Sequence, residues 1–169
     1  MYDTWKYGRL ASVCALLFVA ACASKPATAP NNPTLTNSQV QQSSIPPGSE
    51  KDFQVNVGDT VHFDYNRYDL RDADKAVLQR QATWLNKYPA VRVTIQGNCD
   101  ERGTREYNLA LGARRANSVK EYLVSLGVSR GRVDTISYGK ERPICAESTE
   151  ACWAQNRRGV TAIVAGVMS

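Results

Sequence analysis

The chain has 169 residues, of which 43% are hydrophobic and 22% charged, with 21 Lys and Arg against 16 Asp and Glu. This length and composition predict one soluble globular domain with additional segments. The basic excess does not indicate nucleic-acid binding, because the sequence has neither a continuous run of Lys and Arg nor a basic strand interleaved with aromatic residues.

Residues 1–21 have the layout of a bacterial lipoprotein signal peptide. Lys6 and Arg9 precede an apolar run that ends in small residues, and this run is shorter than the roughly 20 residues that span a bilayer. The stretch "VAAC" resembles the lipobox, where a signal peptidase cuts before the cysteine and the thiol of Cys22 receives lipid. A buried amphipathic helix is the alternative, but it fits the basic start and the small-residue end poorly.

Residues 22–52 predict a lipidated cysteine followed by a disordered tether. The segment is rich in Pro, Ser and Asn, and it has too few large apolar residues for burial to offset the entropy of ordering. The folded domain is expected over residues 53–169. For an exported domain with a basic surface, the candidate anionic partners are cell-wall peptides and lipid headgroups.

The cysteines of the domain predict one disulfide. Cys145 and Cys152 lie in the turn-like segment "CAESTEAC", and in an oxidising compartment a bridge is favoured over two free thiols. Cys99 is then left free.

The pattern of the domain predicts strands alternating with helices. Val61, Phe63 and Tyr65 alternate with polar residues as in a half-buried strand, and the segment "DADKAVLQRQATWLNKY" has one apolar helical stripe. The predicted elements, in chain order, are strand 60–65, helix 72–88, strand 91–97, helix 104–126, strand 133–139 and strand 159–166. This β-α-β-α-β-β order predicts an α/β two-layer sandwich, with helices on one face of a small mixed sheet.

Two polar residues interrupt the apolar face of the long helix. On a helical wheel Arg115 falls between Leu111 and Val119, and Asn108 lies beside it one heptad earlier. A buried guanidinium costs several kcal/mol unless it is paired. One interpretation is an internal salt bridge that fixes the geometry of the strand and the helix, with Asp64 or Asp100 as the partner. The other is a ligand contact.

The junction before this helix supports the ligand interpretation. Residues 100–104 join the end of a strand to the start of a helix, which is where ligands commonly bind in α/β sheets. Asp100 can accept a hydrogen bond from an ammonium group, and Arg115 can hold a carboxylate through two parallel hydrogen bonds. The pair would suit a zwitterion.

Four blocks in the same order resemble one known family: "VHFDYNRYDL", "IQGNCDERGTREYNLALGARRANSVKEYL", "RVDTISYGKERP" and "NRRGV". The chain is identified as a member of the OmpA-like peptidoglycan-binding domains over about residues 58–165, and the "DERGTREYNLALGARRA" block places it among the lipoprotein members. The resemblance implies non-covalent binding of the meso-diaminopimelate in peptidoglycan stem peptides. It also implies a lipid-anchored outer-membrane protein facing the periplasm, which ties that membrane to the wall with partners of the Tol-Pal system, notably the propeller protein TolB.

The resemblance also implies roles for individual residues. Asp100 corresponds to the aspartate that holds the diaminopimelate ammonium, and Arg115 to the arginine that holds its carboxylate. The remaining implied residues are Thr104, Asn108 and Leu111 in the pocket wall, Phe63 and Asp64 as the floor and a second carboxylate, and Arg102 and Gly103 in a loop whose amides face the ligand.

This sequence departs from the family pattern at two positions of the "GNCD" stretch. Asn98 stands where many members have histidine, so a role that needs an imidazolium is lost. Cys99 lies at a position where the family usually has a small residue, and we interpret it as a packing residue. Arg157 and Arg158 correspond to the two arginines of the family's Asn-Arg-Arg motif, and we interpret their role as structural.

Two other classes of function are alternatives. Cys99 and His62 could be the nucleophile and base of a wall hydrolase, but a thiol beside Asp100 would have a raised pKa and would be a poor nucleophile. One histidine gives no metal-ligand cluster, and neither a metal nor another cofactor is expected. A pure protein-interaction module is the second alternative, which sedimentation of the purified domain with cell walls would test.

Overall fold

The computed structural model describes residues 45–167. The predicted signal peptide, Cys22 and the tether up to residue 44 lie outside the described residues. The elements are α1 (Glu50–Asp52), which continues into a π-helical turn (Phe53–Val57), β1 (Thr60–His62), α2 (Asp72–Lys87), β2 (Arg92–Asn98), α3 (Arg105–Ser125), a 3-10 turn (Arg130–Arg132), β3 (Val133–Gly139), α4 (Glu150–Asn156) and β4 (Arg158–Ala165). None of the described helices is long and apolar enough to cross a membrane.

The strands form one mixed sheet in the order β1-β4-β2-β3. β2 and β3 are parallel, whereas β4 is antiparallel to both β1 and β2. α3 packs on β2 and β3, and α2 packs on β1 and α3. The buried core joins the two layers, with Val93 and Ile95 from the sheet against Leu78, Val119 and other helix residues. The predicted α/β sandwich is confirmed.

Two glycines let α3 approach the sheet closely. A Cβ atom built on Gly97 of β2 would lie 1.8 Å from the carbonyl oxygen of Gly112, and one built on Gly112 would lie 2.3 Å from the Oγ atom of Ser137. Main chain therefore packs on main chain at this crossing. Arg115 follows Gly112 by three residues on the helix, so the close approach holds its Cα near the end of β2.

β1 is shorter than predicted and ends at His62. After it the amide of Phe63 donates to the carbonyl of Arg157, and the chain turns through Asn66, which has a φ of 57°. This turn explains the early end, because the main chain leaves the sheet. The carbonyls of Asp64 and Arg67 accept hydrogen bonds from the side chain of Arg115.

The packed structure includes residues that precede the predicted domain boundary at Phe53. Ser49 caps α1 by accepting a hydrogen bond from the amide of Asp52. The Oδ2 atom of Asp52 accepts from Trp84 Nε1 at 2.9 Å, and the rings of Phe53 and Trp84 pack with centroids 4.9 Å apart. The first turn of helix therefore docks on α2.

The segment predicted to be turn-like contains the start of α4. Thr149 caps this short helix by accepting from the amide of Cys152. The predicted disulfide between Cys145 and Cys152 is confirmed, with Cα atoms 5.1 Å apart. Among the described cysteines Cys99 is free, as predicted, and it is buried.

Candidate ligand-binding site

A cavity of about 150 Å³ opens where β2 ends and α3 begins. Six of the nine predicted site residues line it: Asp100, Arg102, Gly103, Asn108, Leu111 and Arg115. The other lining residues are Tyr65, Asn66, Cys99 and Tyr107. The structure thus brings the predicted carboxylate and the predicted guanidinium into one small polar pocket.

The guanidinium of Arg115 is held by main-chain carbonyls. Its Nε donates to Arg67 O at 2.8 Å, Nη1 to Asn98 O at 2.9 Å and Nη2 to Asp64 O at 3.0 Å. The residue is 0% exposed, and burial lowers the pKa of the guanidinium from its ordinary value. Within residues 45–167 no carboxylate forms a salt bridge with Arg115, since Asp64 and Asp100 pair elsewhere. The internal salt-bridge interpretation is therefore wrong.

Phe63 and Asp64 support Arg115 without lining the cavity. The guanidinium of Arg115 lies 5.1 Å from the centroid of the buried Phe63 ring, where a cation is attracted to the aromatic face. Asp64 contributes its backbone carbonyl, whereas its carboxylate is 67% exposed and lies 4.0 Å from Arg71. The Asp64 carboxylate thus lies outside the pocket in this structure.

Asp100 is buried and paired with two arginines of this chain. Its carboxylate accepts from Arg102 Nη2 at 2.6 Å and from Arg157 Nη1 at 3.3 Å, and the amide of Arg102 also donates to it at 3.1 Å. Burial raises the pKa of the Asp100 carboxyl, but the hydrogen bonds from Arg102 and Arg157 outweigh that effect and leave the pKa below its ordinary value. Asp100 is therefore ionised at neutral pH.

The loop from Asp100 to Thr104 is held in place from two sides. Asn108 Nδ2 donates to the carbonyls of Arg102 at 2.8 Å and Thr104 at 3.1 Å. Lys140 Nζ donates to the carbonyls of Glu101 and Gly103 at 3.0 and 2.7 Å. Thr104 caps α3 by accepting from the amide of Tyr107, and it does not line the cavity.

Aromatic residues at the mouth of the pocket were not predicted from the sequence. The Arg102 guanidinium lies between the Tyr65 ring, 4.1 Å away, and the Trp153 ring, 4.0 Å away. Tyr107 and Asn66 are joined by a hydrogen bond across the same opening. The alternation at Tyr65 indicated an inward strand residue, and Trp153 lies on a helix too short to show a period.

Three further predictions concern residues next to the pocket. Asn98 is buried, and its Nδ2 donates to Gln96 O, while its Oδ1 has no partner among the described residues. Arg157 donates to Phe63 O at 3.0 Å and to Glu150 at 2.7 Å, and Arg158 donates to two backbone carbonyls. These contacts agree with the structural interpretation of both arginines.

The geometry does not assemble a catalytic cysteine. Cys99 donates to Asn108 O at 3.3 Å, and burial raises the pKa of its thiol to about 11, so little thiolate exists at neutral pH. His62 lines a different cavity. In the part of the chain that the structure describes, no cluster of His, Cys, Asp or Glu side chains could hold a metal ion.

Comparisons with known proteins give the same class as the fold and the pocket. The OmpA family model matches residues 62–157. This is more than half of the chain, and the chain therefore belongs to the OmpA family. Family membership agrees with the prediction that the chain is not an enzyme.

Several similar proteins are peptidoglycan-associated lipoproteins. A peptidoglycan-associated lipoprotein of Mesorhizobium japonicum is 47% identical over 90% of this chain and 89% of its own length. One from Rhizobium meliloti is 56% identical over 69% of this chain and 66% of its own length. The crystal structure of the peptidoglycan-associated lipoprotein from Burkholderia pseudomallei superposes with a TM-score of 0.62 at 44% identity, covering 63% of this chain and 90% of that one.

Proposed function

We propose that the domain binds peptidoglycan non-covalently, by enclosing the free end of a diaminopimelate side chain in the pocket at Arg115. One observation carries this proposal. Arg115 is a fully buried cation that has three carbonyl partners and no carboxylate partner among the described residues, and it lines a cavity. A buried charge without a counter-ion is costly, so a ligand carboxylate at this point would be strongly favoured.

The chemistry of Arg115 favours a carboxylate over other groups. A guanidinium has more N–H groups than the three hydrogen bonds use, and its planar fork matches the two oxygens of a carboxylate. The carbonyls of Asp64, Arg67 and Asn98 fix the plane of that fork. Because the donors are already oriented, little side-chain entropy is lost on binding.

The size and charge of the pocket favour a small zwitterionic group, with an ammonium and a carboxylate close together. A cavity of about 150 Å³ is too small for a sugar chain, and Asp100 supplies a negative charge in the same pocket as Arg115. The side chain of meso-diaminopimelate ends in an ammonium and a carboxylate on one carbon, which matches this pair of charges. A lysine side chain has the ammonium alone and would leave Arg115 without its partner.

The other predicted residues take supporting roles in this proposal. Leu111 packs against the methylene chain of the ligand, and Asn108 holds the loop that forms the pocket edge. Gly103 and Thr104 shape that loop, and Phe63 lies under the guanidinium. Asp64 acts through its backbone carbonyl, which orients Arg115.

We further propose that the chain is anchored in the outer membrane through lipid on Cys22, with the domain in the periplasm. The supporting observations are the lipobox before Cys22 and the name lipoprotein shared by the similar proteins. With residues 22–52 as a tether, such a protein would join the membrane to the wall during growth and division. Partners of the Tol-Pal system, TolB among them, belong to this proposal by resemblance to the same relatives.

Co-sedimentation of the purified domain with isolated cell walls tests the proposed function. The wild type should sediment with walls when no other protein is present, and Arg115→Ala should bind about 30- to 5000-fold more weakly, since losing one partner of a desolvated charge pair costs about 2 to 5 kcal/mol. Arg114→Ala is the matched control, because Arg114 is the exposed neighbour on the same helix. Failure of the wild type to bind walls would contradict the proposal.

A further inference from the structure

At the mouth of the pocket, aromatic rings and carboxylates surround the guanidinium of Arg102. Its guanidinium lies between the rings of Tyr65 and Trp153 at 4.1 and 4.0 Å. Asp100 lies 2.6 Å and Glu150 3.6 Å from its terminal nitrogens. Two aromatic faces and two carboxylates are the groups that recognise a cation, and here they hold a cation of the same chain.

This arrangement leaves Asp100 little capacity for a ligand. Its Oδ1 atom accepts from the amide and the Nε of Arg102, and its Oδ2 atom accepts from Arg102 Nη2 and Arg157 Nη1. A carboxylate has about four acceptor positions. Since all of them have donors, an incoming ammonium must displace one of these groups.

We propose that Arg102 competes with the ammonium group of the ligand for Asp100. Arg102 must release its ion pair with Asp100 when the ammonium binds, and this competition sets the affinity and the specificity for ammonium-bearing ligands. This inference rests on the proposed function. Arg102 is then not a ligand contact in the pocket but the residue whose release accompanies binding.

Arg102 is the arginine that can leave. Its side chain is 28% exposed and borders Tyr65, which is 59% exposed, so a path to solvent exists. Arg157 is 7% exposed in its side chain and is also held by Phe63 O and Glu150. Because Arg157 remains, Asp100 keeps a counter-ion and a fixed orientation after Arg102 moves.

The competition has a consequence for specificity. In most ligand-free molecules Arg102 is paired with Asp100. The apparent dissociation constant for an ammonium-bearing ligand is then the intrinsic constant divided by the fraction of molecules in which Arg102 has left Asp100. The carboxylate end of the ligand meets no such competitor at Arg115. The wild-type pocket therefore discriminates ligands chiefly by their carboxylate and only weakly by their ammonium.

Calorimetric titration with two peptides tests this inference. The first is L-Ala-γ-D-Glu-meso-diaminopimelate, and the second carries 2-aminopimelate, which keeps the side-chain carboxylate but lacks the ammonium beside it. Arg102→Ala should bind the first peptide about tenfold more tightly than the wild type does. It should bind the second peptide no more tightly. Arg105→Ala is the control, since Arg105 is an exposed arginine of the same region, paired with Glu141 at 3.2 Å, and it should change neither affinity.

The outcomes separate this inference from the proposed function. If the wild type binds the first peptide and Arg102→Ala binds it equally or more weakly, the competition is wrong and the proposed function stands. If the wild type binds neither peptide, both are overturned. Should Arg102→Ala fail to fold, the inference can be tested on the wild-type protein by measuring the Nε–H signal of Arg102 with nuclear magnetic resonance. It should exchange faster with water when the first peptide binds, and an unchanged signal would overturn the inference.

Discussion

The Nη1 group of Arg115 donates a 2.9 Å hydrogen bond to the backbone carbonyl of Asn98. This contact joins the long helix to the last residue of β2 through a main-chain acceptor. Replacing the side chain at position 98 leaves that carbonyl in place. The departure from the family's histidine at this position is therefore compatible with an intact guanidinium site.

The crossing of α3 over β2 predicts a strict size limit at Gly97. Gly97→Ala would place a methyl group 1.8 Å from the carbonyl oxygen of Gly112, and such overpacking costs about 1 to 3 kcal/mol or more. At about 4 to 8 °C per kcal/mol, the melting temperature should fall by roughly 5 to 20 °C. Gly131→Ala is the control, because nothing lies within 4 Å of a Cβ there. Equal melting temperatures for the two variants would refute the close packing.

The single histidine predicts a pH dependence of stability. Burial lowers the pKa of His62 from its ordinary value of 6.5, and Arg71, Arg158 and Arg157 lower it further, against a raising effect of Asp74. The unfolded chain then takes up a proton at higher pH than the folded one, so stability falls as the pH drops from about 6.5 through the lower folded pKa. His62→Gln should flatten this loss. Urea denaturation at pH 7.5 and pH 5.5 measures it, and an identical loss in the variant would show that His62 is not responsible.

The sequence was sufficient for the long elements and for the charges of the pocket. Helical periodicity placed Arg115 within an apolar face, and the strand-to-helix junction placed Asp100 near it. Both inferences depend on local spacing, which a sequence contains. The close approach of Gly97 and Gly112 depends on a contact between distant segments, so no local sequence pattern predicts it.

The partners of these charges could not be read from the sequence. Arg115 donates to carbonyls in the loop after β1 and to the carbonyl of the last residue of β2, and backbone groups have no residue-type signature. Arg157 reaches Asp100 across 57 residues of sequence. Trp153 and Glu150 lie on α4, a seven-residue helix that is too short to show an apolar period. The disulfide between Cys145 and Cys152 links this helix to the preceding loop.

The cysteines predict a defined alkylation pattern. Cys99 is 3% exposed, and burial raises the pKa of its thiol to about 11, so iodoacetamide at pH 8 should leave it unmodified in the folded domain. In denaturant without reductant, Cys99 should be tagged while Cys145 and Cys152 are not. Mass spectrometry of peptides reads both results. Tagging of Cys145 and Cys152 under these conditions would exclude the disulfide.

The lipid anchor predicts a change of location. Cys22→Ala should give a folded protein that no longer fractionates with membranes, because acyl chains supply about 0.8 kcal/mol per buried methylene and the domain itself has no anchor in this proposal. Fractionation should use cells that lack an intact wall, so that wall binding does not retain the protein. Cys14→Ala lies within the predicted signal peptide and should leave anchoring unchanged. Membrane retention of the Cys22→Ala variant would mean that another segment anchors the chain.

The central claim is that Arg115 binds the side-chain carboxylate of diaminopimelate. The most direct measurement compares binding of the wild-type domain to purified walls of the diaminopimelate type and the lysine type, which requires no substitution and no assumption about folding. A lysine wall offers the ammonium and no adjacent carboxylate, so it would leave the buried guanidinium without its partner, and binding should be at least about 30-fold weaker. Equal binding to the two walls by the folded domain would contradict the claim.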